Sequence, residues 1–347
     1  MKILITGGAG MIGSHCAEYF ANKEYEVLVY DNLMRSAIFG STAESVEYNW
    51  KFLSRYENVT RVKNDIRDSA ALDSIFSRFR PDVVIHTAAQ PGVRMSLENP
   101  IEDCSINTIG TLNVLESLRM ITPEATLLYC STNKVYGSNV DRHELFEQQS
   151  RYAFKSISGI SESESIDQTG HTPYGVSKLA GELYVQDYVN TFNIRTFVFR
   201  MSCIYGTRQF GFEDQGWIAW FCRNFLLGEP ITLFGDGKQV RDVLWVTDLI
   251  QAFEMAVSSK LNGGVYNIGG GSRYSLSLLE LIGQLELLMA KKVKITKEEW
   301  RKADQKVYIT DITKVSTDLD WSPSTSAAEG LGRLVAWMDS NKHMFNY

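Results

Sequence analysis

Short unbroken runs of apolar residues, not an apolar–polar alternation, mark the first half of the chain. Lys2–Thr6, Glu26–Asp31, Val59–Asn64, Asp82–Ala88 and Ala125–Ser131 are of this kind. A run without a polar face belongs to a strand buried on both sides, as in a parallel sheet covered by helices. Between these runs, Ile12–Lys23, Ala70–Arg80 and Ile101–Met120 carry apolar residues at helical spacing. Strand–helix alternation of this type predicts right-handed βαβ units in a doubly wound sheet. Tyr174–Phe192 continues as a helix and Arg195–Ser202 as a sixth strand.

Two insertions break the alternation. Met34–Asn58 holds Tyr48, Trp50 and Phe52, and Asn139–His171 is rich in Ser, Glu and Gln. Long segments inside compact folds tend to serve function. Beyond Tyr205 the pattern changes to short strands, scattered helices and Gly-rich turns at Gly235-Asp236-Gly237 and Gly269-Gly270-Gly271. The expected architecture is α/β: a Rossmann-type doubly wound parallel sheet over 1–203, joined by 238–258, and a smaller C-terminal α/β substrate lobe mainly over 204–347. The terminal Lys342–Tyr347 reads as a tail with no assignable role.

Composition narrows the partners. The chain has 347 residues, enough for a sizeable core without metal or disulfide staples. Its 35 basic and 41 acidic side chains give a net charge of −6 and no basic stripe, so nucleic acid is not an expected partner. The apolar runs are too short to cross a bilayer and the N-terminal run too short for a signal peptide. Five cysteines, an odd number without Cys-x-x-Cys spacing, read as free thiols in a reducing cytoplasm. Five scattered histidines without His-x-x-x-His predict no metal site.

The first strand runs straight into Gly7-Gly8-Ala9-Gly10-Met11-Ile12-Gly13 and then a helix. Glycines let the backbone approach a pyrophosphate, and the helix N-terminus offers N–H donors to it. Asp31 ends the second strand, where a carboxylate accepts from the adenosine ribose hydroxyls of NAD and repels the 2′-phosphate of NADP. Arg35 lies nearby.

The Thr-Gly-x-x-Gly-x-x-Gly spacing resembles the extended short-chain dehydrogenase/reductase family. Asp65-Ile66 after the third strand, His86-Thr87-Ala88-Ala89 ending the fourth, and Asn107 in Asn-x-x-Gly-Thr-x-Asn match it as well. The resemblance implies bound NAD held by Gly7, Gly10, Met11, Ile12, Gly13, Asp31, Asn32, Asp65, Ile66, Thr87, Ala88, Ala89, Gln90, Asn107, Ser131, Tyr174, Lys178 and Met201.

Tyr174-Gly175-Val176-Ser177-Lys178 opens the helix after the fifth strand. Residues four apart share a helix face, so Lys178 sits beside Tyr174. An ammonium and a positive nicotinamide both favour the phenolate, whose ordinary pKa is about 10. The family pattern makes Thr132, in Ser131-Thr132-Asn133-Lys134, the hydroxyl that hydrogen-bonds the reacting sugar oxygen. Sugar-nucleotide dehydratases of the family carry Asp-Glu at the next two positions, and its sugar decarboxylases a Glu at the second. Asn133 and Lys134 cannot serve as that acid or base, which leaves epimerisation or net oxidation–reduction.

For the substrate, Arg241-Asp242-Val243 resembles the family segment whose Arg clamps a nucleotide diphosphate. The resemblance implies substrate contacts at Asn133, Ser202, Arg208, Gln209, Gln215, Trp217, Arg241 and Asp304. Trp217 and Trp220 share a helix face, as a substrate wall or as core. Ser-Thr-Asn-Lys-Val-Tyr-Gly, Asp214-Gln215-Gly216-Trp217 and Gly237-Lys238-Gln239-Val240-Arg241-Asp242-Val243-Leu244 are similar to the CDP-paratose (CDP-tyvelose) 2-epimerase group. One departure, Pro91-Gly92-Val93-Arg94-Met95-Ser96, is closer to 4-epimerases of sugar acids, and Arg94 there meets a carboxylate, a phosphate or solvent. The expected function is inversion of C2 in a CDP-linked deoxyhexose. The alternatives are a UDP-sugar 4-epimerase, a net dehydrogenase or reductase and, least favoured, an NAD-sensing regulator. Family members pair as homodimers or homotetramers through the helices bearing Asn107 and Tyr174. Leu183, Val185 and Tyr188 suit that contact or an internal core.

Overall fold

The computed structural model describes residues 1–35, 43–301 and 304–345. Residues 36–42 of the first insertion and 346–347 of the tail lie outside the described residues. The chain divides into two compact units: Met1–Val135 with Thr172–Arg200 and Ile250–Tyr266, and Tyr136–His171 with Met201–Leu249 and Asn267–Tyr347.

The first unit is built on a Rossmann-type sheet. Its strands are β1 (Lys2–Thr6), β2 (Glu26–Asp31), β3 (Val59–Lys63), β4 (Val83–His86) and β5 (Thr126–Thr132), then β8 (Thr196–Met201) and β12 (Gly263–Ile268), after the two hairpin strands of the second unit, β6 (Leu145–Glu147) and β7 (Tyr152–Phe154). The sheet order is β12-β8-β5-β4-β1-β2-β3. The neighbours β2–β3, β1–β2, β1–β4 and β4–β5 run parallel, with Ile3 level with both Val27 and Val83. Strand order therefore reverses beside β1, the switch point at which open α/β sheets place their ligands.

The apolar runs produce this sheet because both of its faces are covered. Leu4, Leu28, Val84 and Leu127 pack with Phe76, Val114, Leu118 and Val185 of the flanking helices into one buried cluster. Local signals set the helix ends. Asp68 caps the Ser69–Phe79 helix by accepting from Ala71 N–H, and Arg80 stops it in the left-handed conformation at φ 49°.

The helix expected over Ile101–Met120 is not uniform. Asn99 caps a short Pro100–Cys104 helix, Ser105–Ile109 widens into a π turn, and a regular helix resumes at Gly110–Ile121. Pro at the first turn and an Asn cap explain the start. The π turn takes the buried Asn107 into its middle.

The second unit centres on β11 (Val240–Trp245). It pairs antiparallel with β13 (Ser275–Ser277) and parallel with both β15 (Val307–Tyr308) and β9 (Cys203–Tyr205). A separate parallel pair joins β10 (Ile231–Phe234) to β14 (Ile295–Glu298), and β6 with β7 forms the hairpin.

This division differs from the expected split at 203. Residues 136–171 belong to the second unit, tied there by Tyr152 N–H to Lys238 O at 2.9 Å and Ile160 N–H to Ile309 O at 2.7 Å. Residues 250–266 belong to the first and supply its edge strand, a seventh that the sequence reading does not contain. The tail is also partly fixed: Phe345 is buried, stacks on Phe210 at 5.5 Å, and accepts at its carbonyl from Arg223 Nε at 3.0 Å.

No helix among the described residues is long and apolar enough to cross a membrane. No group of three His, Cys, Asp or Glu among them is placed to hold a metal ion.

Candidate active site

In the first unit the turn after β1 is a cradle made by missing side chains. Gly7 has φ +71°, and a Cβ there would lie 2.5 Å from Ala88 N. A Cβ on Gly13 would lie 2.4 Å from Gly7 O, so the helix could not approach the turn. On Gly10 it would meet, among the described residues, only Gly7 O at 3.1 Å, so they leave the outer face of the turn open. The Met11–Ala21 helix has no side-chain cap at Gly10 and no acidic residue in its first turn. Its N–H groups and positive end remain available to a phosphate. These features fit a dinucleotide.

Asp31 ends β2 beside this turn. Its Oδ2 accepts from Ala9 N–H at 2.9 Å and its Oδ1 from Leu33 N–H at 2.7 Å. Each oxygen keeps a further lone pair for a ribose hydroxyl. Burial raises its pKa, against those two backbone bonds.

Other expected cofactor residues are occupied by protein partners. Asp65 takes Arg67 Nη2 at 2.7 Å and Asn32 Nδ2 at 2.8 Å on Oδ2. Burial raises its pKa, yet the bonds from Arg67 and Asn32 hold it at about 2. Ile66 packs where a Cβ on Gly110 would strike it at 2.5 Å. Thr87 Oγ1 donates to Thr6 O at 2.8 Å, clamping the end of β4 to the glycine turn. Gln90 and Asn107 are buried and bond each other, through Gln90 N–H to Asn107 Oδ1 at 2.8 Å and Asn107 Nδ2 to Gln90 O at 3.0 Å. Ser131 Oγ donates to Glu182 Oε2 at 2.5 Å. Six of the residues expected on the cofactor thus spend side-chain groups on the framework.

Thr132 closes β5, and Tyr174 lies in the first turns of the Thr172–Phe192 helix, with its N–H bonded to Ser96 Oγ at 3.1 Å. The Thr132 side chain lies close enough to the Tyr174 hydroxyl to lower its pKa. Lys178, 2% exposed, lies one turn on, with Nζ 4.2 Å from the centre of the Tyr129 ring. The structure thus brings Thr132, Tyr174 and Lys178 to one place.

Their protonation differs from the sequence expectation. Burial pushes the Tyr174 phenol up to about 12, although the nearby Thr132 side chain pulls the other way. Burial takes the Lys178 ammonium down to about 8. A charge stripped of water costs more than a single neighbouring amine returns.

Sequence reasoning missed the residues behind this trio. Glu182 is wholly buried and forms an ion pair with Arg200 at 2.6 Å. Asp103 accepts from Ser177 and Gln90. Each lies four residues from an assigned one, Lys178 or Asn107, and that helical spacing is the signal that was there to use.

In the second unit, Arg241 and Asp304 meet across 63 residues of sequence: Arg241 Nη2 donates to Asp304 Oδ1 at 2.7 Å and its Nη1 to Val240 O at 2.7 Å. Met201 and Ser202 also fall here, and Ser202 Oγ donates to Asp242 Oδ1 at 2.5 Å. Arg208 is buried with φ +58°. Gln209 and Gln215 each bury a side-chain carbonyl oxygen that has no hydrogen-bond partner among the described residues. Trp217 donates from Nε1 to Cys203 Sγ at 3.4 Å and meets Phe221 edge-on, whereas Trp220 lies under the Arg223 guanidinium.

In the first unit, Asn133 is buried next to Thr132, and Arg94 is exposed and pairs with Glu98 at 3.1 Å. Of the three apolar candidates for self-association, Leu183 is exposed, while Val185 and Tyr188 are core.

Comparisons with known proteins bear on both units. The family model described as "NAD dependent epimerase/dehydratase family" matches residues 3–269. A CDP-paratose 2-epimerase of Salmonella typhi is 38% identical over 98% of this chain and 100% of that protein. A UDP-glucose 4-epimerase from Thermotoga maritima, solved with UDP-glucose, superimposes with a TM-score of 0.84 at 30% identity, covering 99% of this chain and 100% of that one. A UDP-glucuronic acid 4-epimerase from Bacillus cereus, solved with its UDP-sugar and NAD, gives 0.82 at 29% identity, covering 98% and 100%.

Proposed function

This chain belongs to the NAD dependent epimerase/dehydratase family, with NAD as its cofactor, and from that premise we propose that it inverts C2 of a CDP-linked deoxyhexose. The observation that carries the reading is Thr132 beside the Tyr174 hydroxyl with Lys178 one helical turn away, followed along the chain from Thr132 by Asn133 and Lys134. The pair suits proton transfer at a sugar hydroxyl. Asn133 and Lys134 offer no carboxyl acid or base for eliminating water. The 2-epimerase named above, similar over its whole length, supports C2 and cytidine.

When bound, NAD supplies the transient oxidation and re-reduction of C2 that an inversion without a second substrate requires. Tyr174 becomes a phenolate where the Lys178 ammonium, together with the positive nicotinamide of bound NAD, offsets the burial that otherwise keeps it a phenol. As phenolate it takes the proton from the C2 hydroxyl and later returns it. Thr132 and Tyr174 steady the negative charge that develops on that oxygen, usually the largest contribution in such reactions. Lys178, as ammonium, favours the phenolate. Arg241, oriented by Asp304 and Val240 O, serves as the diphosphate anchor. We assign the NAD-binding role to the first unit and the sugar-nucleotide role to the second.

Self-association through the helices that carry Tyr174 and Asn107 belongs to the same reading. Ile109, Val176, Leu183 and Tyr184 expose apolar surface there, chemistry suited to a second copy of the chain. Size-exclusion chromatography with light scattering is expected to give a dimer or tetramer, and a Leu183→Glu chain to shift toward monomer.

A 4-epimerase acting on a UDP-sugar is the second reading, favoured by the two solved relatives above. The NAD-loaded chain is to be incubated with CDP-paratose and with UDP-sugars and followed by NMR. Inversion at C2 of the CDP-sugar, with deuterium placed at C2 retained, supports the first reading. Inversion at C4 of a UDP-sugar alone replaces it with the second.

A further inference from the structure

Against the Tyr174–Lys178 turn lies a buried carboxylate that the proposed chemistry leaves unused. Asp103, in the Pro100–Cys104 helix, is 1% exposed. Its Oδ2 accepts from Ser177 Oγ, and its Oδ1 accepts from Gln90 Nε2 at 2.8 Å and Asn107 Nδ2 at 3.2 Å. The carbonyl of Tyr174 is a second acceptor for Ser177 Oγ at 3.1 Å. Asn107 Nδ2 also reaches Ser177 Oγ at 3.1 Å. One side chain therefore ties together the segment after β4, the π turn and the turn between Tyr174 and Lys178.

The chemistry of the partners specifies a carboxylate. Ser177, Gln90 and Asn107 all act as donors toward residue 103, so the position needs a side chain that only accepts. All three partners are also neutral. Burying a carboxylate without a bonded cation is costly, which makes the nearest buried cation the relevant one. That cation is Lys178, adjacent to Ser177.

The ionisable groups facing Lys178 can be named element by element. Tyr129 and Cys130 lie on β5, His86 on β4, Tyr174 and Glu182 on its own helix, and Asp103 on the short helix. His86 is neutral, because burial and then the Lys178 charge hold it down at about 3. Burial pushes Cys130 up to about 12, so it is a thiol near neutrality. Glu182 is committed to Arg200 at 2.6 Å. Asp103 is the carboxylate in this set with no cation hydrogen-bonded to it among the described residues.

We propose that Asp103 is a positioning residue for the proton transfer: acting through Ser177 it fixes the Tyr174–Lys178 turn, and its charge keeps Lys178 an ammonium. This rests on reading Tyr174 and Lys178 as the proton-transfer pair. The charge also disfavours phenolate at Tyr174. Its removal therefore makes Tyr174 easier to ionise and Lys178 easier to deprotonate, moving both transitions toward lower pH.

The test compares the NAD-loaded wild-type chain with Asp103→Asn, Asp103→Glu and Ser177→Ala. The Lys178 Nζ resonance is titrated in ¹⁵N-lysine-labelled protein, and kcat and KM are measured against pH with CDP-paratose. In Asp103→Asn the Nζ midpoint and both limbs of the rate profile are expected to fall by about one pH unit. Its kcat is expected to drop about 10- to 100-fold with KM changed less than about threefold. Asp103→Glu returns the midpoint toward wild type whatever its kcat, and Ser177→Ala lowers kcat without moving the midpoint.

A purely structural role would scale the profile in place, so coincident midpoints for wild type and Asp103→Asn overturn the proposal. If Asp103→Asn does not fold, undiminished kcat in Ser177→Ala overturns it instead. If the wild type turns over no sugar nucleotide, the functional reading fails, and the Nζ titration still decides Asp103.

Discussion

Tyr174 and Lys178 show how burial sets the character of a side chain. Burial shifts each toward its uncharged form, the phenol to about 12 and the ammonium to about 8, which still leaves Lys178 an ammonium at neutral pH. Tyr174→Phe is expected to lower kcat about a thousandfold while NAD stays bound, checked by turnover and by absorbance of the retained cofactor. Lys178→Met is expected to abolish turnover to a similar degree, and the Lys178 contribution to the stability of the cofactor-free wild-type chain is expected to rise with pH between about 8 and 10.5, read by denaturant titration. The sign follows from linkage. Lys178 binds its proton less well folded than unfolded, so its penalty is full below about pH 8 and fades as pH rises toward 10.5. A Lys178→Met chain should lack that rise. At this scale the sequence spoke clearly where spacing alone suffices, as for Tyr174 and Lys178. It was silent on Asp103 and Glu182, whose meaning comes from burial and from partners distant in the chain.

Segments were legible to the extent that one local rule governed them. The five runs read as buried strands became β1 to β5 with ends within two residues; β4 and β5 are buried throughout and β1 and β2 nearly so, whereas the edge strand β3 is exposed at Thr60 and Lys63. The helix expected over Ile101–Met120 is helical throughout but not uniform, since apolar spacing does not report the extra residue that makes Ser105–Ile109 a π turn. The glycine turn obeys a stricter rule, because there the backbone itself fills the space. Gly13→Ala would place a methyl 2.4 Å from Gly7 O and 2.7 Å from Gly8 Cα. We expect it to destabilise the chain by about 1–3 kcal/mol and weaken NAD about tenfold or more, measured by thermal melts and calorimetric titration.

The whole molecule was the least legible, because its division depends on contacts that no window of sequence contains. The chain passes between its two units after Val135, His171, Arg200, Leu249 and Tyr266. Neither unit is a continuous segment. A chain ending at residue 203 is expected to be insoluble or to give poorly dispersed amide NMR spectra, because it lacks the residues 250–266 that complete the first unit. The late position of β12 carries the same logic into synthesis. While the polypeptide is still emerging from the ribosome, β8 has no outer neighbour until Gly263–Tyr266 appear, and its bare hydrogen-bonding groups invite pairing with other nascent chains. A chain made in quantity should therefore aggregate more readily when synthesis is stalled before residue 263 than after release of the full length.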